Sequence, residues 1–158
     1  MKKILLTSMV MFGFGVFAFS QVNPNALGLR LGGGTINGGE LSYQKGIGSS
    51  NRLELDLGFG GNKDYGSLSL TGIYHWNWNI VESLNWYVGP GAGVSFVNAK
   101  HGDNYVGVAI GGQIGLEYDF SSLGAPILLS LDARPMWNLL GDFNGFGWGA
   151  ALGIRYIF

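Results

Sequence analysis

From Ala26 onward the chain alternates. Its last stretch, residues 145–158, reads "GFGWGAALGIRYIF", with an apolar side chain at every even position and glycine at every odd one except Ala151, Arg155 and Ile157. A period of two belongs to a strand with two unlike faces, and it excludes an amphipathic helix. The pattern recurs in eight segments, roughly 26–34, 37–46, 52–60, 67–78, 86–97, 105–120, 127–139 and 145–158. Between them lie "GIGSSN", "GNKDYG", "NAKHGDN", "SSLGAP" and "GDFNG", all rich in turn-forming residues. Segments of about ten alternating residues separated by turns are the mark of a transmembrane β-barrel. The sequence therefore predicts an all-β fold, an eight-stranded antiparallel up-and-down transmembrane β-barrel.

The two faces differ in a way that sets their direction. One carries Leu27, Leu29, Leu31, Leu53, Leu55, Leu57, Leu68, Leu70, Val106, Val108, Ile110, Leu129, Leu131 and their like, with Lys45 its one charge. The other carries Arg30, Glu40, Arg52, Glu54, Asp56, Glu117, Asp119, Asp132, Arg134 and Arg155, separated mostly by glycine and serine. Turned toward water, a polar face would hold many Lys, Glu and Thr, and glycine weakens a strand without a packing reason. A narrow, strongly curved interior supplies that reason, so the apolar face points out into lipid. Aromatics mark both edges of the apolar band. Trp76, Trp78, Trp86, Tyr118, Phe120, Tyr156 and Phe158 gather at one set of strand ends, and Phe59, Phe96, Tyr105, Trp137 and Phe146 at the other, as two interfacial girdles. Pro90 and Pro135 fall inside strands, where the missing N–H predicts local bulges or breaks.

Composition narrows the function. The chain of 158 residues is one domain's worth, with 29 glycines, 12% charged residues and no cysteine. An ordinary soluble domain carries about 25% charged residues. Disulfides, thiolate metal sites and cysteine nucleophiles are excluded, and the absence of a basic run argues against nucleic acid. The opening "MKKILLTSMVMFGFGVFAFSQ" has a positive start, an apolar run and the small-x-small triplet Ala18-Phe19-Ser20, which predicts a secretory leader over 1–20 and a barrel over 21–158. The chain from Gln21 then keeps seven basic and ten acidic residues, a net charge of −3.

With its alternating last strand "WGAALGIRYIF", the chain resembles the small outer-membrane β-barrel family of the eight-stranded OmpA and OmpX kind. Its glycine-rich style is similar to that of uncharacterised barrels of Bacteroidetes-type bacteria. The resemblance implies the outer membrane of a Gram-negative bacterium as location. It also implies that Phe158, with Tyr156 and Ile154, belongs to the signal read by the barrel-assembly machinery.

The inward charges set the functional expectation. If strands 1 and 2 pair about "GGTIN", Arg30 meets Glu40 with Asp56 alongside, and pairing about "GDFN" puts Asp132 diagonal to Arg155. Charges in a narrow, low-dielectric lumen must pair, and eight strands leave an interior only wide enough for side chains. A plugged lumen is therefore expected over an ion pathway or proton relay. Catalysis has little support. His75 faces inward near the end that holds the termini, with Arg52 opposite. Ser95 and His101 lie at the other end with no third orienting group, and two histidines on separate elements are too few for a metal site. The expectation is a monomer without cofactor or catalytic centre, with a structural role in the envelope and lipid and lipopolysaccharide as its partners. The alternatives are a narrow solute or proton pore and a lipid A-modifying enzyme.

Overall fold

In a computed structural model the protein is described over residues 18–19, 22–34, 38–61, 63, 65–100, 104–140 and 145–158. Besides a two-residue strand, Ala18–Phe19, eight long strands follow one another among the described residues: β1 (Asn25–Gly34), β2 (Gly38–Gly46), β3 (Asn51–Gly61), β4 (Tyr65–Val81), β5 (Leu84–Ala99), β6 (Tyr105–Asp119), β7 (Ile127–Leu140) and β8 (Gly145–Ile157). Each pairs antiparallel with its sequence neighbours, and β1 pairs with β8 from Ala26↔Ile157 to Gly34↔Gly149. The ring is closed, so the barrel has no open seam. No helix among the described residues is long and apolar enough to cross a membrane, a statement that does not touch strands.

The alternation sorts the side chains as the sequence predicts. Leu29, Leu31, Leu55, Leu70, Ile110, Ile114, Leu131, Leu152 and Ile154 are exposed on the outer surface. Arg30, Ser42, Glu54, Asp56, His75, Gln113, Asp132 and Arg155 are buried within. A soluble protein does the reverse, and an apolar patch of this extent facing out marks a surface made for something other than water. The expected girdles take shape as ring contacts: Trp78 stacks on Trp86 at 4.6 Å and Tyr118 meets Phe120 edge-on at 4.7 Å near the rim that carries the termini. Trp137 lies 6.4 Å from Phe146 toward the far rim.

The prolines act differently from expectation. Neither shifts the register. Between β4 and β5 the pairs at Tyr74–Pro90 and His75–Gly89 drop out of the ladder, yet Ile73↔Gly91 and Trp76↔Val88 keep one register. Opposite Pro135 the β6–β7 ladder lapses from Gly111↔Met136 to Ile114↔Ala133, again in phase. A side chain at Gly89 would run into the Tyr74 carbonyl oxygen. Glycine there lets β4 and β5 approach at the point where Pro90 has no N–H to donate, so the strands stay joined. The irregularities fall elsewhere, between Asn79 and Val81 and between Val108 and Ala109.

At the terminal rim the connections are compact. β4 and β5 are joined through Glu82 and Ser83 alone, with Glu82 at φ 47°, tighter than the 79–85 loop expected. After Asp119 the chain enters a 3₁₀ turn, Phe120–Leu123, which ends on Gly124 in the left-handed conformation at φ 82°. Residue 120 thus belongs to a turn and not to a strand. Parts of the far connections, with His101 and Asp103, lie outside the described residues, as does most of the leader expected over 1–20.

Candidate functional site: the charged lumen

Strand parity and curvature bring side chains from all eight strands to one axis. In the middle of the barrel, three guanidiniums face four carboxylates. Arg134 is the hub: Nη1 contacts Glu40 at 3.2 Å, and Nη2 contacts Glu54 at 3.3 Å and Asp56. Gln113 Oε1 accepts from Arg134 Nη2 at 2.9 Å. Arg30 joins Glu40 at 2.6 Å and holds Asp132 through both Nε and Nη2. Arg155, wholly buried, donates to Ser42 Oγ at 2.9 Å, Ser130 Oγ at 2.7 Å and Glu54 Oε2 at 3.0 Å. Glu54 also accepts from Gln44 and Gln113, at 2.5 and 3.1 Å, so both its oxygens are occupied.

A second cluster lies toward the terminal rim. Arg52 pairs with Glu117 at 2.5 Å, its Nε donates to His75 Nδ1 at 3.2 Å, and Asn77 Nδ2 donates to Glu117 Oε1 at 2.9 Å. Tyr87 joins the two clusters. Its ring lies 4.6 Å from the Arg52 guanidinium and 4.5 Å from the His75 ring, while its hydroxyl sits 3.5 Å from Asp132. Gly115 makes room for it, because a Cβ there would stand 2.5 Å from the Tyr87 hydroxyl. Arg52 Nη2, His75 Nε2 and Asn77 Oδ1 have no partner among the described side chains.

Toward the far rim the lumen widens into a cavity of about 100 Å³, walled by Ser69, Thr71, Ser95 and Asn138 and floored by Glu40 and Arg134. Gly149 lines it too, and a Cβ on Gly149 would meet only the Gly33 carbonyl, at 3.5 Å. Not every inward glycine is packed against something.

The ten charged residues anticipated for the lumen are thus distributed unevenly. Arg30, Glu40, Glu54, Asp56, Asp132, Arg134 and Arg155 meet in the central cluster, and Arg52 and Glu117 in the lower one. The register matches Arg30 to Glu40 directly. The Asp132–Arg155 diagonal is corrected: Asp132 engages Arg30 on β1, two strands away. The space left by Gly153 on β8 is taken by Arg155, since a Cβ there would stand 2.6 Å from Arg155 Nη1 and closer still to Ser130 Oγ. Asp119 is also corrected. It sits half-buried at the terminal rim, accepting from Asn23 Nδ2 and from the Ser121 backbone N–H, each at 2.8 Å. Burial alone would raise its carboxyl, but these hydrogen bonds prevail and hold it below the ordinary carboxylate range.

Tyr87, Gln44, Gln113, Asn77, Ser42 and Ser130 belong to the lumen network but carry no sequence signal beyond inward parity. Of the residues weighed for catalysis, His75 lies in the lower cluster, Ser95 in the cavity wall and His101 outside the described residues. No group of three or more potential metal ligands occurs among the described residues. The residues read as an assembly signal, Ile154, Tyr156 and Phe158, are exposed on the outer face of β8, and the Phe158 N–H donates to the Asn25 carbonyl at 3.0 Å. The girdle residues Trp76, Trp137 and Phe146 are exposed likewise, with Trp78, Trp86, Tyr118 and Phe120 half-buried.

No protein-family profile matches the chain. No curated protein matches its sequence. Solved structures match its fold. Neisserial surface protein A superposes with a TM-score of 0.61 at 14% identity over 85% of this chain and 94% of that one. The N-terminal β-barrel domain of Pseudomonas aeruginosa OprF gives 0.60 at 16% identity, over 85% and 98%. Ail, the attachment invasion locus protein of Yersinia pestis, gives 0.54 at 12%, over 85% and 96%. All three are small outer-membrane barrels, and the fold of this chain is theirs.

Proposed function

We propose that this chain, which has the fold of the small eight-stranded outer-membrane barrels, is an integral outer-membrane protein with a structural role in the envelope and a lumen closed by its own side chains. In this reading the terminal rim faces the periplasm and the far rim faces outward. Lipid and lipopolysaccharide are its immediate partners, the barrel-assembly machinery handles it during biogenesis, and it acts as a monomer without catalysis. The observation that carries the reading is the inversion of the two faces, with Leu, Ile and Trp exposed and nine charged side chains drawn into one paired interior network. Desolvated charges tolerate such a place only when paired and hydrogen-bonded, and here the ion pairs run across the axis where a pore would pass. Purified protein in planar bilayers should show no stable channel. It should fractionate with outer membranes and migrate as a heat-modifiable band on unboiled gels. Reproducible conductance that changes when Arg30 or Arg134 is neutralised would favour the pore, and recovery as a soluble periplasmic protein would overturn the membrane reading.

A further inference from the structure

Above the ion-pair network the lumen changes character. The cavity of about 100 Å³ toward the far rim is walled by Ser69, Thr71, Ser95 and Asn138, and none of these side chains has a hydrogen-bond partner among the described residues. The three hydroxyls are also left uncovered. Across the ladder Ser69 faces Gly58, Thr71 faces Gly93 and Ser95 faces Gly107, and a Cβ added at each glycine would crowd the hydroxyl opposite. The floor offers one further acceptor. The Glu40 side chain is 18% exposed, where those of Glu54, Asp56 and Asp132 are fully buried. Among the described residues its Oε1 accepts only from Arg134 Nη1, at 3.2 Å, a donor shared with Oε2.

We propose that this cavity is a binding site for a small uncharged polyhydroxyl ligand, a polyol or one sugar unit. Ser, Thr and Asn side chains each donate and accept, and so does a ligand hydroxyl, so wall and ligand match whichever way each O–H turns. Glu40 Oε1 has a lone pair free to accept a ligand O–H in a charge-assisted bond, one of the stronger kinds. An ion fits worse. Arg30, Arg134 and Glu40 on the floor are already paired and the wall is neutral, so an added charge would enter low-dielectric space without a counter-charge. At ~10–15 Å³ for each water-sized group, the cavity takes roughly seven to ten of them, which matches erythritol or most of a sugar ring. The chemistry is shared by a free sugar and by the end of a membrane glycan. Binding in detergent does not depend on which way the barrel is oriented, so its failure would leave the structural role in the envelope standing.

Equilibrium dialysis of the folded barrel in lauryldimethylamine oxide, a detergent without sugar head groups, tests the site with radiolabelled erythritol and D-glucose. At least one of the two should be retained saturably, one per barrel. Protonated glucosamine and glucuronate should be retained about tenfold or more weakly than D-glucose, because each carries an unmatched charge. Thr71→Val with Asn138→Leu keeps the volume of the wall and removes two of its polar groups, and it should weaken retention by about tenfold or more. Ser95→Ala, a smaller change, should weaken it in the same direction and serves if the double variant fails to give the heat-modifiable band of a folded barrel. Displacement of the bound probe by lipopolysaccharide would make a membrane glycan the source, and its absence a free sugar; either upholds the site. No saturable retention would mean that the cavity holds water alone and would overturn the proposal. Retention unchanged in a folded variant would remove the site from this cavity, and equal retention of the charged analogues would overturn the ligand class.

Discussion

Replacing Arg134 by alanine should destabilise the barrel by about 3–5 kcal/mol, the cost of breaking a buried ion pair by removing one partner. The figure follows from where Arg134 sits. Its guanidinium contacts Glu40, Glu54 and Asp56 together, and the last two side chains are fully buried. Glu54 keeps Arg155, Gln44 and Gln113, so most of the loss falls on Asp56, left facing Glu54 with no other guanidinium in contact. Urea unfolding from lipid vesicles, followed by tryptophan fluorescence, would read the change. With a slope of about 2 kcal/mol per molar urea, the midpoint should fall by roughly 1.5–2.5 M. Arg134→Lys should lie between, because one ammonium cannot serve three carboxylates with the geometry of a guanidinium fork. Adding Asp56→Asn to Arg134→Ala should restore part of the loss by removing the stranded charge. A loss under about 1 kcal/mol for Arg134→Ala, the value of a solvated surface pair, would mean that water already screens the network, and the closed-lumen reading would fall.

Other substitutions separate the two faces. Leu152→Arg places a charge on the outer face of β8, where the side chain is 65% exposed, and should cost about 2–4 kcal/mol in vesicle unfolding if that position is near the midplane; no effect would deny that β8 faces lipid. Gly115→Leu should cost about 1–3 kcal/mol or block closure, because the new side chain meets Tyr87 and Asp132, whereas Gly149→Ala should be near neutral since it opens onto the far cavity; equal effects in a thermal gel-shift assay would contradict the packing. Deleting Phe158 removes an exposed ring and one terminal backbone bond, so refolding of pure protein should be almost normal while assembly in cells drops sharply. Normal cellular assembly of that variant would remove the assembly role from the last strand.

Much of the fold is legible in the order of residues, because a strand's two faces are fixed by parity alone. Alternation across 145–158 and its seven counterparts sets the element type, the number of strands within a residue or three at each end, and the face each side chain takes. Glycine and serine on the charged face tell which way that face points. Arg30 against Glu40 is also legible, since a short connection leaves little choice of register. Parity is silent on contacts made across the axis. Asp132 reaches Arg30 and not Arg155, whose guanidinium fills the space over Gly153 and turns to Ser42, Ser130 and Glu54, and Tyr87 enters the network because Gly115 yields space to it. The same holds for the prolines: sequence places them in strands, but only the close approach of Gly89 to the Tyr74 carbonyl shows how β4 and β5 stay in register around Pro90. Which faces exist is a property of each strand by itself and follows from the sequence. Which charges pair is a property of the closed ring, where residues a hundred positions apart share a few ångströms of low-dielectric space, and the tertiary structure alone decides it.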